Sequence, residues 1–262
     1  MVASARSFLF VPGHRPDRFA KAAASGCDVV VLDLEDAVGA DSKAEARQHV
    51  RSWLAAGHPA VVRINAPGTP WFTDDLAAVA DHATAVMVPK AEDPAVLDAI
   101  PALVIPLIET ALGITRAVDV CAAASVVRPA FGSIDLAAQL GLDPTSHTAL
   151  QHARSTLVLA AATTGRAAPI DGVTTTLDNP EPLHADLAHA IELGYTGKLC
   201  IHPHQTAPVN TAFTPTPTEI HWATEVLACV TDGSVTVHNG HMVDRPVILR
   251  AQTILARARY RS

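Results

Sequence analysis

LVIPLIET, Leu103 to Thr110, is an apolar run that carries no charge until Glu109 arrives as the run stops. Parallel strands covered by helices on both faces read as near-continuous apolar runs rather than as alternation, so these eight residues predict a buried strand. A carboxylate at its end is placed rather than scattered. The pattern recurs along the chain: VVVLDLED ends in Glu35 and Asp36, AVVRIN carries Arg63, AVMVPK ends in Lys90, and VVRPAFGSID ends in Asp135. Strands that each finish in a charged group gather those groups at one end of a parallel sheet, where an oxyanion-binding metal site can be built.

Outward from this run the chain repeats one unit. SFLFVPG (Ser7 to Gly13) is a strand closed by a Pro-Gly turn, followed by a helix from Pro16 to Gly26 with Pro at its start and Gly at its end. DVVVLDLED (Asp28 to Asp36) precedes a helix from Ser42 to Ala56, PAVVRIN (Pro59 to Asn65) one beginning near Thr73, and TAVMVPK (Thr84 to Lys90) a short one from Pro94 to Ile100. LVIPLIET leads into GITRAVDVCAAA, and VVRPAFG (Val126 to Gly132) into SIDLAAQLG. A long helix from about His147 to Thr164 precedes APIDGV (Ala168 to Val173) and the helix EPLHADLAHAIELG, and GKLCIHP (Gly197 to Pro203) makes an eighth strand.

Eight alternations without a break in composition predict an α/β fold of the (β/α)8 barrel type, with active-site residues at the C-terminal strand ends. No GxGxxG follows the first strand, which removes the usual reason to prefer a dinucleotide fold. Residues 1–213 are therefore expected to form the barrel and 214–262 an extension. That extension reads as a helix in TPTPTEIHWATEVLACV, a hairpin through Asn239-Gly240 in SVTVHNGHMVDRPV, and a closing helix in RPVILRAQTILARARYR. A barrel does not need it, so it is expected to act as a lid or subunit contact.

Composition narrows the function. Hydrophobic residues make up 49% of the 262 and aromatic ones only 4%, so the core must be built from Ala, Val, Leu and Ile. A formal charge of -7 with no Lys/Arg run argues against nucleic acid. Cys27, Cys121, Cys200 and Cys229 have no CxxC or zinc-type spacing and read as reduced core thiols. With no run of ~18 apolar residues and no signal-type leader, the expected setting is the cytoplasm, away from membranes.

Glu109 and Asp135 are the leading metal candidates, because two carboxylates with waters and a bidentate substrate complete an octahedral magnesium site. For Asp135, capping of a helix N-terminus stands as an alternative. Arg63 is costly to bury without an anion, and its planar fork suits a carboxylate; a salt bridge to Glu35 or Asp36 is the competing reading. Asp36 is assigned to the outer shell of the metal and Glu35 to a helix start or structural charge. Lys90 reads either as an imine-forming lysine or, preferably, as a charge paired with the acidic cluster. His202 and His204 in IHPHQ lack a third ligand for zinc. The backbone amides around Gly132 and Ser133 in FGSID are suited to holding a carboxylate or oxyanion.

The ordered motifs LFVPG.R..RFAKA, VVLDLEDAV, VVRIN, VMVPKAE, LIET..G, FGSIDLAAQLG, GKLCIHPHQ and G.MVDRPV resemble the citrate lyase beta-subunit-like branch of the HpcH/HpaI aldolase superfamily, over essentially the whole chain. The resemblance implies a magnesium-dependent, trimeric barrel acting on carbon–carbon bonds between an acyl-CoA and a short 2-oxo or hydroxy acid. It places Glu109 and Asp135 on the metal, Arg63 on the oxo acid, and Arg15 and Lys21 near the CoA phosphates. It also implies that Asp244 is supplied by a neighbouring subunit as acid/base. The expected reaction is cleavage of a 3-hydroxyacyl-CoA such as citramalyl-CoA or malyl-CoA to acetyl-CoA and a 2-oxo acid, or the reverse condensation. A malyl-CoA-type thioesterase and a non-catalytic, partner-dependent subunit are the alternatives.

Overall fold

The structure, a computed structural model, describes residues 2–229, 236–238 and 241–259. Eight parallel strands close into a barrel in sequence order: β1 (Ser7–Pro12), β2 (Val29–Asp33), β3 (Val61–Arg63), β4 (Ala85–Val88), β5 (Val104–Ile108), β6 (Ala130–Phe131), β7 (Ile170–Asp171) and β8 (Gly197–Cys200), with β8 pairing back onto β1. Between and after them run α1 (Phe19–Ala23), α2 (Lys43–Ala55), α3 (Phe72–Val79), α4 (Pro94–Asp98), α5 (Ala111–Thr115), α6 (Ala117–Ala122), α7 (Ser133–Leu140), α8 (His147–Thr163), α9 (Glu181–Leu193) and α10 (Thr206–Ala212). The (β/α)8 barrel expected from the repeated unit is the fold observed.

Alternation along each strand fills the barrel. Phe8 of β1, Val29 and Val31 of β2, Val61 of β3, Ala85 and Met87 of β4, Ile105 and Leu107 of β5 and Leu199 of β8 form one buried cluster. Such residues share a face because strand side chains repeat every second position. The opposite face packs on helices whose apolar stripe follows the helical period: α2 buries Ala46, Val50 and Leu54, four residues apart. Arg128 closes the N-terminal end of the barrel. It is fully buried and donates to the carbonyls of Ala5 at 2.8 Å and Ala168 at 2.9 Å, with its guanidinium over the Phe8 ring.

Some elements are shorter than their apolar runs. VVRPAFG contributes only the two residues of β6, because Pro129 has no N–H to continue the ladder. The helix expected from Pro16 begins as a 3-10 turn, Pro16–Arg18, before α1. Cys121 and Cys200 are buried thiols, Cys27 and Cys229 are half-buried, and none is in a disulfide.

The chain divides into two compact units, Met1–Asn210 and Thr211–Ser262, a boundary three residues earlier than the expected one. In the second unit, α11 (Pro217–Ala228) opens on a reciprocal cap between Thr216 and Glu219. The strands β9 (Thr236–His238) and β10 (His241–Val243) pair antiparallel, and α12 (Arg245–Arg259) follows. Ala223, Val226, Val243, Ala251 and Ile254 form its core. The expected turn at Asn239-Gly240 lies outside the described residues. Among the described residues no helix is long and apolar enough to cross a membrane.

Candidate active site

At the C-terminal strand ends a cavity of about 400 Å³ is lined by Asp33, Asp36, Arg63, Glu109 and Asp135 on one side, and on another by Phe131, Val173, Leu199 and the partly exposed Ile134 and Ile201. Strand register explains its floor. Asp33 and Arg63 are direct neighbours across β2 and β3, and each lies two residues beyond a valine of the barrel core. They form the next layer up, inside the mouth.

Arg63 is gripped on one edge. Its Nε and Nη2 donate to the two oxygens of Asp33, both at 2.7 Å, and the Phe10 ring lies 4.8 Å from the guanidinium carbon. Asp33 also accepts from the backbone N–H groups of Glu35 and Ala37, which shapes the loop leaving β2. Arg63 Nη1 lies 3.0 Å from Glu35 Oε2 and 3.6 Å from Asp36. That Glu35 oxygen nevertheless accepts no aligned hydrogen bond, so the Nη1 contact is one of charge. Burial works against the charge on Arg63, but the Asp33 hydrogen bonds and the nearby carboxylates outweigh it and hold its pKa above the ordinary value. The bidentate fork that sequence reasoning reserves for an oxo acid is thus engaged by Asp33. Only the Nη1 edge is left to meet a ligand.

Glu109 rises from β5 and is 2% exposed. Its Oε1 accepts the backbone N–H of Lys90 at 2.9 Å. Burial, then the charges of Glu35 and Asp135, push its pKa up to about 8. Gly132, at the junction of β6 and α7, is what lets Glu109 lie there: a Cβ on residue 132 would collide with the Glu109 side chain and come within 2.5 Å of Oε2. The N–H of Gly132 is already donated to Ile108 in the barrel ladder, so Gly132 contributes room rather than an amide.

Asp135 stands in the first turn of α7, whose N-cap position makes no side-chain cap bond. Its carboxylate is turned to the cavity, with Lys90 Nζ at 4.0 Å. Ser133 is buried at the start of the same helix, where the first N–H groups have no partner within the helix.

Lys90 ties the carboxylates together. Nζ donates to Glu35 Oε1 at 2.9 Å and lies 3.9 Å from Glu109 Oε1. An ammonium so engaged has no lone pair for imine formation. Glu35, also buried, is fixed from below by Lys43, whose Nζ donates to the carbonyls of Leu34 and Glu35 at 2.7 Å.

The cavity therefore brings together Asp36, Arg63, Glu109, Gly132, Ser133 and Asp135. Arg15 and Lys21 do not line it. Arg15 is paired with Asp17 through two hydrogen bonds of 2.8 and 2.9 Å on the surface, and Lys21 is exposed on α1. Asp244 belongs to the second unit and caps α12: its Oδ1 accepts from Val247 N–H at 3.3 Å and its carbonyl from Ile248 N–H. His202 caps the turn Pro203–Gln205. Lys90 pairs with the acidic cluster and Arg63 contacts Glu35 and Asp36, as the sequence reading allows; the member of the charged cluster that this reading misses is Asp33. For Asp33 the signal was present, since it shares the inward phase of Val29 and Val31.

Among the described residues no group of three or more His, Cys, Asp or Glu side chains is arranged to hold a metal alone. A hard cation would fit with two carboxylates, Glu109 and Asp135, and water or substrate oxygens for the rest. Burial first, and then the charges of Glu35 and Asp135, make Glu109 reluctant to ionise, and a bound cation relieves that concentration of negative charge.

Residues 6–203 match the family model described as HpcH/HpaI aldolase/citrate lyase. A citrate lyase subunit beta-like protein of Mycobacterium tuberculosis is 40% identical over 265 residues, covering 98% of this chain and 96% of its own. Two proteins of Cereibacter sphaeroides, a (3S)-malyl-CoA thioesterase and an L-malyl-CoA/beta-methylmalyl-CoA lyase, are 33% and 32% identical, each alignment spanning 97% of this chain and 94% of theirs. The crystal structure of CitE from Mycobacterium tuberculosis in complex with magnesium, acetoacetate and coenzyme A superposes with a TM-score of 0.85 at 38% identity, covering 98% of this chain and 99% of that one.

Proposed function

Because the chain belongs to the HpcH/HpaI aldolase/citrate lyase family, we propose that it is a magnesium-dependent carbon–carbon lyase. Its substrate is a 3-hydroxyacyl-CoA of the citramalyl-CoA or malyl-CoA type, cleaved to acetyl-CoA and a 2-oxo acid, or formed from them. The observation that carries the reading is the meeting of Glu109 and Asp135 at one mouth of the barrel, beside an apolar wall. Magnesium with coenzyme A in the superposable CitE structure supports it.

Glu109 and Asp135 would hold the ion, with Asp36 in its outer shell. When bound, the ion supplies positive charge to the carboxylate and keto oxygens of the oxo acid. In the cleavage direction the 3-hydroxyl proton passes to a carboxylate of the cavity, the bond between C2 and C3 breaks as C3 becomes the keto carbon, and its electron pair passes to the thioester as an enolate. That enolate is protonated at carbon to give acetyl-CoA. Arg63 Nη1 adds charge where the oxyanion forms, and the amides at the start of α7, at Ser133 and beyond, orient the acid's carboxylate. Val173, Leu199, Ile134 and Ile201 keep water from the enolate. Asp244 of a neighbouring copy exchanges the proton with the methyl carbon, Arg15 and Lys21 meet the CoA phosphates, and the assembly is a homotrimer.

A thioesterase reading has its own support in the 33%-identical malyl-CoA thioesterase. Product analysis separates the two. Purified protein given malyl-CoA and citramalyl-CoA with magnesium should release acetyl-CoA with glyoxylate or pyruvate; free CoA with the hydroxy acid would establish the thioesterase instead. No product from either thioester would leave the partner-dependent subunit.

A further inference from the structure

Lys90 adopts a left-handed backbone with φ of 49°, and it is the non-glycine residue that does so among the described residues. A side chain that branches from this conformation is strained, and such strain persists where surrounding contacts fix it. Two contacts result from it here. The backbone N–H is aimed at Glu109 Oε1 at 2.9 Å, and the side chain carries Nζ back over the carboxylates, 2.9 Å from Glu35, 3.9 Å from Glu109 and 4.0 Å from Asp135. These distances are unequal in kind. The first is a hydrogen bond, whereas the other two are charge contacts beyond hydrogen-bond reach.

We propose that Lys90 is a tethered counter-cation of the metal centre: its ammonium, anchored on Glu35, offsets the negative charge that Glu35 and Asp135 hold beside Glu109 while no divalent ion is present, and yields Asp135 and Glu109, keeping Glu35, when the ion arrives. The inference rests on the reading that Glu109 and Asp135 hold the ion. It gives Glu35 a function as the holder of Lys90 rather than as a metal ligand. It also explains why the backbone contact and the side-chain contact come from one residue: the N–H steadies Glu109 in both states, so only the ammonium has to give way. Lys90 is thereby a positioning residue that acts through the carboxylates.

The test is calorimetric titration with magnesium and metal-free thermal unfolding of wild type, Lys90→Gln, Lys90→Arg, Lys90→Gly and Glu109→Gln. Removing a like charge about 4 Å from the ligands should tighten magnesium binding about tenfold in Lys90→Gln at low ionic strength, and less in high salt. The metal-free melting temperature of that variant should fall, and saturating magnesium should restore it to the wild-type value. Lys90→Arg should keep the wild-type affinity. Lys90→Gly retains the N–H without the strain, and should bind magnesium as tightly as Lys90→Gln while unfolding at a higher temperature. Wild-type or weaker magnesium affinity in both Lys90→Gln and Lys90→Gly, with binding abolished in Glu109→Gln, would overturn the counter-cation role alone. Wild-type binding in Glu109→Gln would overturn the metal assignment and the inference with it.

Discussion

Substitution of Gly132 by alanine tests the placement of Glu109 without touching any charged group. The added Cβ would lie 2.5 Å from Glu109 Oε2 and closer still to Glu109 Cβ. Ordinary non-bonded contacts are about 3.5 Å, so the carboxylate must recoil by roughly 1 Å. It has little room to do so, being 2% exposed and held through Oε1 by the Lys90 N–H. Overpacking of this kind costs about 1–3 kcal/mol, and loss of the Lys90 hydrogen bond adds about 1 kcal/mol. A displaced carboxylate should also weaken magnesium sharply, because that ion tolerates little departure from octahedral geometry. Urea unfolding with and without magnesium, together with titration calorimetry, reads both effects. Gly132→Ala should lose about 2–4 kcal/mol of stability and most of its magnesium affinity. Wild-type behaviour in both would refute the argument that Gly132 is there to admit Glu109.

Further outcomes follow from the same geometry. Glu109 has a pKa of about 8 in the metal-free fold against about 4.3 in an unfolded chain, so the native state holds the extra proton between those values. Its contribution to metal-free stability is therefore full below pH about 4.3 and is lost as pH rises to about 8. Magnesium binding should release this proton, so affinity should climb with pH up to about 8 and level off above it; a flat profile with no proton release would contradict this. Arg63→Lys should lose about 2–3 kcal/mol of stability, because Asp33, 1% exposed, loses its two-point partner. Unchanged unfolding midpoints would show that Asp33 is satisfied without it. Asp244→Asn should cost no more than about 1 kcal/mol as a helix cap yet reduce turnover ~100-fold or more. Mixing it with Glu109→Gln should restore part of the activity through sites completed by two copies, and no recovery after subunit exchange would reject the action in trans.

The barrel was legible because its strands announce themselves twice, as apolar runs and as charges at their ends. Glu109 follows Ile108 in the phase of Ile105 and Leu107, and reading that phase suffices to aim it into the mouth. The same phase in β2 aims Asp33 inward beside Arg63, but the run LDLED crowds three acids into four residues, and spacing alone does not say which of them faces the barrel mouth. Arg63 shows where sequence stops: its fork could have met a ligand or a carboxylate of the fold, and only the register of β2 against β3 decides for Asp33. The left-handed turn at Lys90 has no sequence signature, since lysine is not a residue from which a positive φ is inferred. The FGSID motif points to Gly132 as a source of amides. Its part as the space occupied by Glu109 depends on a contact between β5 and the start of α7, which no local motif encodes.

The central claim is that Glu109 and Asp135 form the divalent-metal centre at which the oxo acid is bound. Crystals grown with manganese in place of magnesium, together with pyruvate, test it most directly through anomalous scattering. The account predicts an anomalous peak between the two carboxylates in the cavity, with the carboxylate and keto oxygens of pyruvate on the ion and Lys90 remaining on Glu35. A peak at other residues, or pyruvate held in the cavity with no metal against Glu109 and Asp135, would contradict it.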